Sequence, residues 1–99
     1  MANRLRLDAT IARKEPLRLT PAGAAVLAFS VTHQSSQMEA GSARDVSFEA
    51  QCVAIGEVAR RLEPLATGTR IEIEGFLAAR SRQSRSLVLH VNEFSLIRG

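Results

Sequence analysis

A period-two alternation that breaks at a glycine is the strongest constraint in this chain. In Arg70-Ile71-Glu72-Ile73-Glu74 the two isoleucines alternate with charged residues, the pattern of a strand with one buried and one wet face. Gly75 interrupts it, and a glycine inside a strand marks a bulge, a bend or a close backbone approach. Leu77 and Ala79 keep the parity of the isoleucines, so the strand is expected to continue through a bend. Beyond it lies a hairpin tip carrying Arg80, Arg82 and Arg85. A basic, flexible finger suits a polyanion, and equally a solvated loop whose charges keep the surface soluble.

The other segments fit around this strand. Asn3 to Arg13 reads as a strand with Leu5, Leu7, Ala9 and Ile11 on one face and Arg4, Arg6, Asp8 and Thr10 on the other. Glu15-Pro16 stops it, because proline cannot donate to a ladder. Thr20-Pro21-Ala22-Gly23 is a turn, and Ala25 to Gln34 a second strand with Leu27, Phe29, Val31 and His33 facing in. His33 is expected to be packed at a strand end rather than to act as a ligand or base. Ser35 to Ala43 is polar and without period, which predicts a mobile loop. Asp45 to Ile55 is a third strand, with Val46, Phe48, Ala50 and Cys52 on one side. Val53 and Ile55 break its alternation, as at a bend or where both faces become covered.

Gly56 to Pro64 predicts a short helix, with Glu57 at its N-terminal end and Val58 and Leu62 on one face. Arg60 and Arg61 are expected on a solvated face. Leu87 to Ile97 is the last strand, with Leu87, Leu89 and Val91 inward and a register change before Phe94 and Leu96. Three strands, a short helix and two more strands are the order of an OB-fold, an all-β, five-stranded Greek-key barrel with the helix between strands three and four. Ninety-nine residues make one such domain, residues 1–99.

Composition narrows the functional classes. Twelve of the thirteen basic residues are arginine, within a net charge of only +3. Arginine grips phosphate with a planar fork, although fifteen alanines beside the arginines also fit a GC-rich coding sequence. Cys52 is the only cysteine, so no internal disulfide can form, and it reads as a buried core residue. No signal-like or membrane-length apolar run occurs, and a cytoplasmic protein is expected. His33 and His90 lack a nucleophile or carboxylate signature. No phosphate-cradling glycine loop and no metal-ligand spacing are present. The residues therefore suggest no enzyme, no cofactor, no metal and no small-molecule substrate.

The Asn3-Arg4-Leu5 start, the Thr20–Gly23 turn, Phe29-Ser30-Val31, Ile55-Gly56-Glu57-Val58-Ala59 and Gly68–Leu77 occur in this order. Together they resemble bacterial single-stranded DNA-binding proteins. Glu39-Ala40-Gly41, Gly75-Phe76, and Leu87–Val91 with Leu96-Ile97 look like the small primosomal branch of that family. The end at Gly99, with neither a glycine-rich tail nor an acidic tip, points the same way. The resemblance implies a homodimer binding single-stranded DNA without sequence preference in replication restart. It also implies docking to a restart helicase of the PriA type and to other primosomal proteins.

Carried over by position, the resemblance makes Arg18 a DNA-contacting residue and Arg80, Arg82 and Arg85 the basic finger. Arg13, Lys14 and Arg44 are further basic candidates. Gln34 stands where relatives carry a basic residue, and Ser42 and Ser47 stand where they carry base-stacking aromatics. Phe29, Phe48 and Phe94 read as core; Phe76 shares parity with Glu72 and Glu74 and would face a base or a partner subunit. The outer face of the first strand (Arg4, Arg6, Asp8) is a dimer seam or an ordinary solvated face. Because the aromatic platforms are missing, a primosomal protein-protein adaptor with weak or lost DNA binding is the alternative. An RNA-binding module of the cold-shock type lacks its aromatic-rich strands here.

Overall fold

The computed structural model describes residues 1–98. Its elements in chain order are β1 (Leu5–Lys14), β2 (Arg18–Leu19), β3 (Ala25–Glu39), β4 (Ser42–Ile55), α1 (Glu57–Leu62), β5 (Arg70–Ala79) and β6 (Leu87–Leu96). The sheet runs β1-β5-β6-β4-β3-β2, and a further β1–β3 pairing closes it. The result is a barrel of five strands, with β2 a two-residue addition on the flank of β3. The helix follows the third barrel strand, as the OB order requires.

Closure depends on stagger. Lys14 lies opposite Phe29, Phe29 opposite Cys52, Cys52 opposite Leu89 and Leu89 opposite Leu77. Leu77 in turn meets Asn3, whose amide accepts from the Leu77 N–H (3.1 Å) and donates to its carbonyl (2.7 Å). The ladder thus returns to β1 most of a strand length from where it left, the shear that lets a small sheet close on itself. Two bulges assist. One lies in β1 between Ile11 and Arg13. In the other, Glu74 pairs with Glu93 but Gly75 with Val91, leaving Asn92 as the extra residue on β6. This is the register change expected before Phe94. At Gly75 the backbones approach so closely that an added Cβ would sit 1.8 Å from the His90 carbonyl oxygen.

The core is the set of inward positions: Ile11, Leu27, Val31, Ile71, Ile73 and Leu89, with Leu62 of α1 capping the barrel. Burying one such side chain is worth roughly 1.5–3 kcal/mol. Cys52 belongs to this core, and burial alone pushes its thiol up to about 12, so no reactive thiolate forms at neutral pH.

Several expectations are corrected. Residues 35–43 are not a loop: β3 and β4 continue as a two-stranded ribbon paired to Glu39↔Ser42. Its turn is Ala40-Gly41, both at positive φ (52° and 84°), the primed geometry whose twist matches the flanking strands. Ala40 hid this turn, since the usual signal is Asn-Gly or Gly-Gly. Phe48, expected in the core, is 41% exposed because its position on β4 lies where the ribbon leaves the barrel. Its ring stacks on His33 instead (centroids 4.9 Å apart). His33 is accordingly not at a strand end. Leu77 and Leu87, expected inward, are 38% and 58% exposed, since the barrel interior ends before them. Leu96, past the other end of the interior, is also exposed.

Candidate nucleic-acid interface

Strand direction sorts the basic residues into two groups. β4 and β6 run parallel, Cys52 beside Leu89, so the residues that precede them extend the same way. The β3–β4 ribbon and the 80–86 finger therefore project from one end of the barrel. Arg44 lies on the ribbon and Arg80, Arg82 and Arg85 on the finger. The finger is closed by the Arg80 N–H donating to the Ser86 carbonyl (2.9 Å) and the Ser84 N–H to that of Ser81 (3.2 Å). Arg13, Lys14 and Arg18 lie at the opposite, helix end: Arg18 faces Val26, itself opposite Ile55. There the Lys14 ammonium donates to the Glu63 carbonyl.

Ion pairing separates these candidates further. Arg44 is engaged with Glu39 across the ribbon turn (2.6 Å). Among the described residues, Arg80, Arg82, Arg85, Arg13 and Arg18 pair with no carboxylate. The finger thus presents three exposed guanidiniums within a six-residue span, each free to take a phosphate fork.

Between the two groups, Gln34 and Ser47 are directly opposed on the ribbon. They open on a notch of about 640 Å³ where β3 departs from β1, lined also by Asp8, Thr10, Glu49 and Arg70. His33 braces this notch: its Nδ1–H donates to the Asp8 carbonyl (2.6 Å), and its Nε2 is hydrogen-bonded with the Ser35 hydroxyl (2.7 Å). Two carboxylates against one guanidinium make the notch a poor seat for phosphate. The favourable charge lies on the finger instead. Ser42, beside the turn, and Ser47 offer no ring on which a base could stack.

On the outer face of β1, Arg6 is paired with Glu72 (3.0 Å), and Glu72 holds the guanidinium's pKa above its usual value. Beside it, β1 takes β3 as a neighbour only from Thr10 onward, and His33 takes the Asp8 carbonyl, so among the described residues the backbone edge of residues 5–7 away from β5 has no strand against it. Arg61 does more than face solvent: it reaches Glu93 (2.6 Å) and lies over the Phe94 ring (4.8 Å to the centroid).

Sequence reasoning missed one feature of this surface. Phe76 and His90 are cross-strand partners and stack with centroids 4.9 Å apart and planes 10° from parallel. The signal was present in the shared outward parity of Phe76 and Glu74, but the pairing that brings His90 alongside depends on the bulge at Asn92.

A closed, staggered five-strand barrel with a capping helix, a ribbon and a basic finger is an OB-fold of the kind seen in single-strand binding proteins. The family model described as another single-strand binding protein family matches residues 3–93. Two proteins named replication restart protein PriB are similar throughout. That of Nitrosomonas europaea is 38% identical over 95 residues, covering 96% of this chain and 88% of the relative. That of Bordetella pertussis is 34% identical over 97 residues, covering 98% and 91%. The solved structure of priB from Ralstonia solanacearum superimposes with a TM-score of 0.90 at 34% identity, covering 99% of this chain and 100% of the other. The single-stranded DNA binding protein from Thermus aquaticus shares the fold (TM-score 0.78, 24% identity), covering 99% of this chain and 51% of that one. The chain belongs to the single-strand binding protein family, on its PriB branch.

Proposed function

We propose that this protein binds single-stranded DNA without sequence preference during replication restart, in the cytoplasm, and that phosphate charge dominates the grip. The observation that carries this reading is the finger: Arg80, Arg82 and Arg85, exposed and without carboxylate partners among the described residues. Membership of the PriB branch supports the setting. Arg44 extends the basic end along the ribbon. Arg13, Lys14 and Arg18 would engage a strand long enough to cross the barrel past Gln34 and Ser47. No catalytic group is required for this role.

We infer also that the protein acts as a homodimer and docks to a restart helicase of the PriA type and to other primosomal proteins. The open backbone edge of residues 5–7 supports a second copy, since an unpaired edge is otherwise a site of aggregation. So does the neighbouring apolar recess of about 410 Å³, lined by Leu5, Leu7, Phe48, Leu77 and Leu87. The recess supports a seam along the strand edge and the inward-parity leucines rather than on the outward side chains of Arg4, Arg6 and Asp8.

The test is anisotropy titration of labelled oligo-dT and duplex DNA at several salt concentrations. Binding to single strands is expected to weaken as log K falls by about 0.7 per neutralised phosphate per decade of salt. Replacing Arg80, Arg82 and Arg85 together by alanine should lower that slope by about 2. Equal binding by the triple variant would sink the assignment. A primosomal adaptor with lost DNA binding is the second reading, favoured by Ser42 and Ser47 in place of aromatics and by Glu49 in the notch. It predicts co-elution with the helicase and no oligo-dT binding by the unmodified protein.

A further inference from the structure

The Phe76–His90 pair is a stacked aromatic unit standing on the outer face of the sheet rather than in the core, with both rings half-buried. Core packing does not account for it, because Gly75 and Val91 beside it carry the close inner contact. Each ring covers one face of the other. The free side of Phe76 borders a recess of about 530 Å³ lined by Met1, Ala2, Asn3 and Arg4.

That recess is held in place. The two hydrogen bonds between the Asn3 amide and the Leu77 backbone extend the β1–β5 ladder by a side-chain rung. They fix the following residue, Arg4, on the same outer face as Phe76, in register with it beyond the Arg6↔Glu74 pair. Along the same face Ala78 and Val88 follow as a cross-strand pair. They present small apolar side chains before Arg80, where the finger begins.

We propose that Phe76, backed by His90, is a nucleobase-stacking platform that substitutes for the aromatics absent at Ser42 and Ser47. A base on the free face of Phe76 would place its phosphates toward Arg4 on one side and Arg80 on the other. Charge sets the direction of the strand. Glu72, Glu74 and Glu93 occupy the same face farther from the finger, and among the described residues only Glu72 and Glu93 pair with arginines. Single-stranded DNA is therefore directed from the platform toward the finger and away from these carboxylates. Platform stacking needs no sequence, since every base has a π-face.

The proposal rests on the single-stranded DNA reading, and the experiment keeps the two apart. Labelled oligo-dT and an abasic oligomer of equal length and charge are titrated into the unmodified protein, Phe76→Ala, Phe76→Trp and His90→Ala, with thermal unfolding followed in parallel. The expected result is that Phe76→Ala weakens oligo-dT binding about five- to hundredfold. The salt slope and the abasic affinity should stay unchanged, and His90→Ala should lose less. Phe76→Trp restores binding, and its tryptophan, the only one in the chain, is quenched by oligo-dT and not by the abasic strand. If Phe76→Ala binds oligo-dT as well as the unmodified protein does, or loses both ligands equally, the platform is refuted while the charge-based reading survives. Failure of the unmodified protein to bind oligo-dT refutes both.

Discussion

Gly75 is the residue on which both halves of this surface turn. It lets β5 pass so near the His90 carbonyl that no side chain fits, and the same crossing places Phe76 opposite His90. Gly75→Ala must push β5 and β6 apart along their backbones, where no flexible side chain can yield. The expected cost is at least about 2 kcal/mol, toward the upper end for overpacking, measured by urea unfolding. Restoration of stability by no nearby large-to-small change would agree, because the obstacle is main chain. A neutral Gly75→Ala would contradict the close approach.

At the scale of elements, the helix is tied to the barrel by the buried Val58, Ala59 and Leu62, by hydrogen bonds at its caps (Gly56 N–H to the Ala25 carbonyl, Lys14 to the Glu63 carbonyl), and by Arg61 with Glu93 and Phe94. The Phe94 N–H and Arg61 both hold the Glu93 carboxyl below its ordinary pKa. A carboxylate depressed in the folded state stabilises it above the unfolded pKa, and that contribution is lost as pH falls through the folded value. Arg61→Ala is expected to lower stability by about 0.5–1 kcal/mol through the lost ring contact. It should also flatten the acid limb of the stability profile below pH ~4.3, the ordinary glutamate range; thermal melts across that range check both. The ribbon behaves differently. It has no second layer beyond Phe48, so its amides depend on two-stranded pairing alone, which is marginal by itself.

The whole molecule is elongated, 50 × 37 × 22 Å, because ribbon and finger extend from one barrel end. Its apolar recess at Leu5, Leu7, Leu77 and Leu87 is the surface a second copy would cover. Sedimentation should show a dimer for the unmodified chain. Leu77→Glu with Leu87→Glu, both exposed positions, is expected to weaken association at least tenfold while leaving the barrel folded. A monomer in the unmodified chain at micromolar concentration would overturn the homodimer.

Periodicity alone determined the barrel strands, the helix and the OB order, because burial on one face of a strand writes itself into every second residue. It located the finger arginines too, since a run of charge without period must lie outside the core. Tertiary structure decided what depends on partners far along the chain. The paired strands of the ribbon at 34–47 carry only Met38, Ala43 and Val46 as apolar residues among polar ones, too few and too scattered to leave a period-two signature. The exposure of Phe48, Leu77 and Leu87 reflects where the barrel interior ends, a consequence of stagger summed over five ladders. Phe76 meets His90 only because Asn92 bulges, shifting the register that local pattern cannot encode.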